Sequence, residues 1–114
     1  MKRLNPVYVD STKRRTLTHL VTIKANSPKH EIDVNITEAP YGAKLGDHYH
    51  ISTKEYFYIV KGTLTYNKKE LLKKGDLFLV EPEEMHTLVV SSDKASFLTF
   101  LTEPFNVNKP DLHK

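Results

Sequence analysis

The sequence contains no cysteine, which excludes disulfides, thiolate nucleophiles and thiolate metal sites. It also lacks long apolar runs. The longest, such as Tyr56 to Val60 and Leu88 to Val90, last only a few residues, against the roughly 20 that a membrane-spanning helix needs. The start, Met1-Lys2-Arg3, leads into Leu-Asn-Pro-Val rather than an apolar stretch, so no signal peptide is expected. These absences point to the cytoplasm and away from a membrane partner. No internal repeat or low-complexity tract is present, and no convincing amphipathic helix; Glu70 to Lys74 is too short to be one. At 114 residues the expectation is one domain over 1–114, with a core of about 7–104 and extended arms at 1–6 and 105–114.

Charge is present but unevenly placed. Lysine and arginine number 17 against 14 acids, a net charge of +3. Residues 1–30 carry seven basic side chains, including all three arginines (Arg3, Arg14 and Arg15), against the single acid Asp10. The rest of the chain is therefore net acidic. Tyr8 is the only aromatic in the basic segment, too little stacking surface for nucleic acid, so no nucleic-acid partner is expected. The basic segment reads as a solvated face, with Arg14 or Arg15 placed to meet an anionic ligand.

What the sequence does have is short alternating runs broken by turn residues. Thr16 to Lys24 alternates, with Leu17, His19, Val21 and Ile23 on one face. Glu31 to Thr37 alternates likewise, with Ile32, Val34 and Ile36 together. Asn26-Ser27-Pro28, Pro40-Tyr41-Gly42, Lys61-Gly62, Asn67-Lys68-Lys69 and Lys74-Gly75-Asp76 read as reversals. Between them fall expected strands at 47–51, 55–60, 63–66, 77–80, 85–90 and 96–102. Nine or so short strands at even spacing predict an all-β antiparallel sandwich or barrel.

Three of the six histidines are placed informatively. His48 and His50 flank Tyr49, so in a strand both project to one side. Glu55 heads a strand in which Phe57 and Ile59 share its face, and a carboxylate in a core-facing row must be paired or bind a cation. His86 is in phase with Leu88 and Val90 and faces the interior too. Three imidazoles and one carboxylate form a transition-metal set rather than a calcium or magnesium set. A glycine frame surrounds them: Gly42-x5-His48-x-His50-x4-Glu55-x6-Gly62, followed by a second block with Gly75, Pro82 and His86.

This arrangement resembles the cupins, the superfamily of small metal-binding domains built as a double-stranded β-helix or RmlC-like jelly-roll barrel of antiparallel strands. The first cupin motif is matched at Gly42, His48, His50, Glu55 and Gly62. In the second, Gly75 and His86 keep the family spacing, while Pro82 sits one place late. The customary glycine between proline and histidine is replaced within Pro82-Glu83-Glu84-Met85-His86, and Val90 stands where asparagine is customary. The resemblance implies His48, His50, Glu55 and His86 as ligands of a divalent transition metal: iron, manganese, nickel, copper, cobalt or zinc. Four protein ligands on an octahedral ion would leave two adjacent positions for substrate, water or oxygen.

The expected function is a metal-dependent enzyme acting on a small oxygen-rich molecule, foremost a dioxygenase-type oxidoreductase. Isomerases, lyases and decarboxylases resemble the same template. Two alternatives stand beside it: a non-enzymatic ligand-binding or sensor cupin, and a metal-free sugar-type isomerase or epimerase. No residue is assigned as catalytic; His19 and Tyr58 are the candidates, and Tyr56, Phe57, Phe78 and Met85 are further candidates for the pocket. A homodimer is expected, formed through edge strands and an apolar face with Tyr49, Tyr56, Tyr58 and Val60.

Overall fold

Alternating β-branched, aromatic and polar residues fit a pleated surface that is covered on one side only. The computed structural model describes residues 1–24, 31–48 and 53–102. They form ten strands: β1 (Tyr8–Ser11), β2 (Thr16–Lys24), β3 (Glu31–Pro40), β4 (Lys44–His48), β5 (Glu55–Lys61), β6 (Thr63–Tyr66), β7 (Glu70–Lys73), β8 (Leu77–Val80), β9 (His86–Val90) and β10 (Lys94–Thr102). A six-stranded sheet runs β1-β2-β3-β10-β5-β8 and a four-stranded sheet runs β4-β9-β6-β7. Every pairing is antiparallel. This is the all-β jelly-roll expected, although no strand pairing closes the two sheets into a continuous barrel among the described residues. Among them, too, no helix is long and apolar enough to cross a membrane.

The strands β2, β6 and β8 have the bounds that alternation predicts. Two others were not expected. β1 and β7 are four residues each, too short for a period of two to stand out, and β7 sets two leucines side by side. The expected strand at 47–51 begins three residues earlier, at Lys44; the remainder of it, the turn at Asn26-Ser27-Pro28 and the arm at 105–114 lie outside the described residues.

The core lies between the two sheets where β5, β8 and β10 face β6, β7 and β9. On β5 the row Glu55, Phe57, Ile59 is buried. On β9 the buried row is His86, Leu88, Val90, as their phase requires. Ile59 and Leu64 are wholly buried, and Phe57 stacks on Phe78 with centroids 4.8 Å apart. Each such side chain contributes roughly 1.5–3 kcal/mol by leaving water.

One register shift alters the sequence reading of β2. His19 is opposite Asn35, but Val21 is opposite Val34, so Leu20 is a bulged residue and the alternation changes phase there. His19 consequently shares a face with Thr22 rather than with Val21 and Ile23, and Ile23 is exposed.

Candidate metal centre and cavity

Between the sheets, beside the core, lies a cavity of about 480 Å³. Its walls divide into an inner pole on β5 and β9 and a polar wall on β3 and β10, with the β1–β2 hairpin at the rim.

At the inner pole Glu55 and His86 meet. Glu55 Oε1 lies 3.2 Å from His86 Nε2, and the two side chains are 11% and 2% exposed. The two residues come from different sheets, so the contact exists only once the sheets have packed. His86 Nδ1 lies 3.3 Å from the carbonyl oxygen of Glu84. In the tautomer where Nδ1–H donates to that carbonyl, Nε2 turns its lone pair toward the carboxylate. Two lone pairs face to face in a site of low polarity require a cation, either a proton or a metal ion.

The donors therefore fit a divalent transition metal. An imidazole nitrogen and a carboxylate oxygen suit first-row ions, and a backbone carbonyl on the other ring nitrogen is the usual device that fixes a ligating tautomer. Here that carbonyl is the Glu84 oxygen. His48 stands directly opposite His86 in the β4–β9 register. His50 lies outside the described residues. Among the described residues no cluster of three or more potential metal ligands is assembled, and Glu55 with His86 is the part of the expected set on view.

The backbone around His86 is held by residues that motif reading did not single out. Gly46 is opposite Thr87 and His48 opposite His86, so Asp47 is bulged out between them. Gly46 has φ +106, and a Cβ there would meet His86 O at 2.5 Å. Only glycine lets β4 lie this close at that angle. Asn67 brackets His86 from the far side: its Nδ2 donates to Met85 O at 3.2 Å, and its Oδ1 accepts from Thr87 N–H at 2.9 Å. The Tyr66 hydroxyl bonds the Glu84 carboxylate. Glu83, within the Pro82 to His86 stretch that has no glycine, takes φ +70, a conformation that glycine adopts more readily.

The polar wall is a second finding. His19 is buried, with Nδ1 2.7 Å from Asn35 Oδ1 and Nε2 3.0 Å from Thr22 Oγ1. Thr22 donates to Asp33 Oδ1 at 2.6 Å, and that oxygen is 3.7 Å from His19 Nε2. Asp33, Asn35, Thr37 and Thr99 line the cavity; His19 sits behind them. The ladder puts Asp33, Leu101 and Glu55 in one cross-strand row, which separates the two carboxylates by about 10 Å at ~4.8 Å per strand. Sequence alternation grouped Ile32, Val34 and Ile36 as a single apolar face and passed over Asp33 and Asn35. The inner face of β3 is the polar one, because it borders a cavity rather than the core.

The other pocket candidates are placed elsewhere. Tyr58 is 40% exposed on the outer face of β5 and does not line the cavity. Tyr56 shares that outward phase. Met85 is exposed, and Phe78 stands behind Phe57, which alone of this group lines the cavity. The reason is phase: Glu55 and Phe57 point in, so Tyr56 and Tyr58 point out.

Similarity to known proteins agrees with this architecture. No curated protein matches the chain by sequence. The structure is similar to the capsular polysaccharide assembling protein CapF from Staphylococcus aureus, at TM-score 0.76 and 20% identity, covering 95% of this chain and 34% of that one. The chain thus spans about a third of the length of CapF. It is also similar to a predicted oxalate decarboxylase from Thermotoga maritima (TM-score 0.65, 24% identity, 77% of this chain and 79% of that one). A sugar phosphate isomerase of the cupin superfamily from Silicibacter pomeroyi has TM-score 0.64 and 21% identity, over 81% of this chain and 61% of that one. The family model described as Cupin domain matches residues 35–101. With the first cupin motif, the jelly-roll topology and this match in agreement, the chain belongs to the cupin family.

Proposed function

We propose that the chain is a metal-dependent cupin enzyme acting on a small oxygen-rich molecule, with Glu55 and His86 as metal ligands and His48 and His50 completing the set. The observation that carries this reading is the buried contact between Glu55 Oε1 and His86 Nε2 on the cavity wall. A divalent transition metal bound there would supply Lewis acidity toward an enolate, diol or carboxylate. The protein's own residues do the rest. The Glu84 carbonyl holds the His86 ring, Gly46 and Asn67 hold its backbone, and Phe57 and Leu88 supply an apolar wall beside the pole.

Within that reading, dioxygenase chemistry needs molecular oxygen beside the substrate, whereas isomerase or lyase chemistry needs a group that moves a proton. Asp33 favours the second. Its carboxylate lines the cavity in the same row as Glu55, and Thr22 and His19 hold it in place. It can take a proton from a substrate carbon or hydroxyl as base and return it as acid. The names of two similar structures, a predicted oxalate decarboxylase and a sugar phosphate isomerase, support non-oxidative work on oxygen-rich molecules.

The test is elemental analysis of protein purified without chelator, beside Glu55→Gln and a His48→Ala/His86→Ala double variant. About one metal per chain, lost in both variants, is the expected result. No metal in the unaltered protein, and none taken up on reconstitution, would overturn the reading. An oxygen electrode then separates the classes: turnover without oxygen consumption supports isomerase or lyase chemistry. A homodimer belongs to the same proposal, supported by Val7, Val9 and Ile23, all more than half exposed near the free edge of the larger sheet. Light scattering at the 13.1 kDa monomer mass would refute it.

A further inference from the structure

The metal reading leaves the arginines without a role. There are three in the chain, all within the first fifteen residues, and two of them, Arg14 and Arg15, line the cavity. They are brought there by the β1–β2 hairpin, whose register pairs Ser11 with Thr16. Thr12 shapes the closing turn. Its N–H donates to Arg15 O at 2.8 Å, and its hydroxyl accepts from the N–H groups of Arg14 and Arg15, both at 3.2 Å. A threonine hydroxyl used this way mimics a backbone turn and fixes the direction in which the following residues leave it.

The two guanidinium groups are not equivalent. Arg15 Nη1 donates to Asp10 O at 3.0 Å and Nη2 to Asp10 Oδ2 at 3.1 Å. Two of its N–H donors are thereby engaged, its charge is balanced, and its head is held at the rim with donors remaining. Arg14 has no carboxylate within ion-pair distance among the described residues. The cavity's other acids are already engaged: Asp33 with Thr22 and His19, and Glu55 with His86. Lys44 lines the rim from the opposite sheet. The rim is therefore cationic, while the walls below it offer amide and hydroxyl groups from Asn35, Thr37 and Thr99. A cleft with walls of low polarity concentrates such a field on its interior.

We propose that the Thr12–Arg15 turn is an anion clamp. Arg14, with Arg15 held beside it by Asp10, binds a carboxylate or phosphate of a small hydroxylated molecule whose far end reaches the Glu55–His86 pole. This rests on the reading of that pole as a metal site, and it adds that the substrate is an anion. Guanidinium suits the task because its planar fork matches two oxygens of either group.

The test is calorimetric titration of inorganic phosphate and, separately, malonate into the full chain, metal-loaded and chelator-stripped. Unaltered protein is compared with Arg14→Gln, Arg15→Lys and an Arg3→Gln control, each checked for folding by circular dichroism. The expected result is saturable binding of at least one anion, roughly tenfold weaker in Arg14→Gln, intermediate in Arg15→Lys, unaltered in Arg3→Gln and reduced by added sodium chloride. Preference for phosphate over malonate assigns a phosphate ligand, and the reverse a carboxylate. No saturable binding of either anion, or equal binding by folded Arg14→Gln, overturns the clamp. Binding through Arg14 in protein that takes up no metal supports the clamp and removes the metal reading. Binding that needs the metal and ignores Arg14 does the opposite.

Discussion

The inner face of the six-stranded sheet changes character halfway across. On β5 the inward residues after Glu55 are Phe57 and Ile59; on β3, in the same cross-strand rows, they are Asn35 and Thr37. The β5 half packs against the four-stranded sheet, with Glu55 and Phe57 also reaching the cavity, while the inner residues of the β3 half line the cavity wall. Burial is similar in both: Asn35 and Thr37 are as enclosed as Phe57. Inward-facing and apolar are therefore separate properties. Where an inner face packs against another sheet, close contact favours carbon. Where it borders a cavity, polar groups persist provided they partner one another, as His19, Asn35, Thr22 and Asp33 do.

The largest expected effect sharpens that contrast. Ile59→Ala removes a wholly buried side chain and should cost about 2–5 kcal/mol in urea unfolding. In the same row, Thr37→Ala should cost much less, because it removes a smaller and less apolar side chain from the cavity wall. Equal losses would erase the distinction between the halves.

Gly46→Ala acts where β4 approaches β9. Its Cβ would press on His86 O, and the backbone would have to leave a left-handed conformation or bear it. A loss of about 1–3 kcal/mol is expected, together with weaker metal uptake, read by elemental analysis. Uptake at the level of the unaltered protein would show that the register of His48 and His86 does not matter to the site.

Asn35→Ala addresses the polar wall. It removes the partner of His19 Nδ1 and leaves a buried polar atom unbonded, a loss of about 1–3 kcal/mol. If stability is unchanged, the wall is more open to water than its burial implies. The smallest effect concerns Glu83, held at φ +70. Glu83→Gly should stabilise by less than about 1 kcal/mol, since relief of the left-handed conformation is partly offset by the freedom glycine gains when unfolded. A differential melting curve would resolve the sign.

The legible parts of the molecule are those where chain-local rules meet ordinary packing. His86 is in phase with Leu88 and Val90, Glu55 with Phe57 and Ile59, and those phases are the observed ones. Glu55 and His86 stood out because they sit within glycine-punctuated blocks of sequence. Three things were not readable in this way. The bulge at Leu20 turns His19 toward Thr22, and nothing in alternation marks it. Asp33 and Asn35 look like the solvent side of β3 because alternation says which residues share a face, not what that face meets. The Glu84 carbonyl and Asn67 belong to backbone geometry, on which side-chain spacing is silent.

By itself, the sequence determined the strand periods, the reversals and the spacing of His48, His50 and Glu55, since these depend on backbone sterics and on neighbours a few residues apart. It also determined that the basic charge is concentrated near the start of the chain. Tertiary structure alone decided that Glu55 and His86 touch, because they lie 31 residues apart on different sheets. It alone turned the polar face of β3 inward and carried Arg14 and Arg15 to the same cavity. Those outcomes depend on which surface each strand packs against, and that is a property of the assembled sheets.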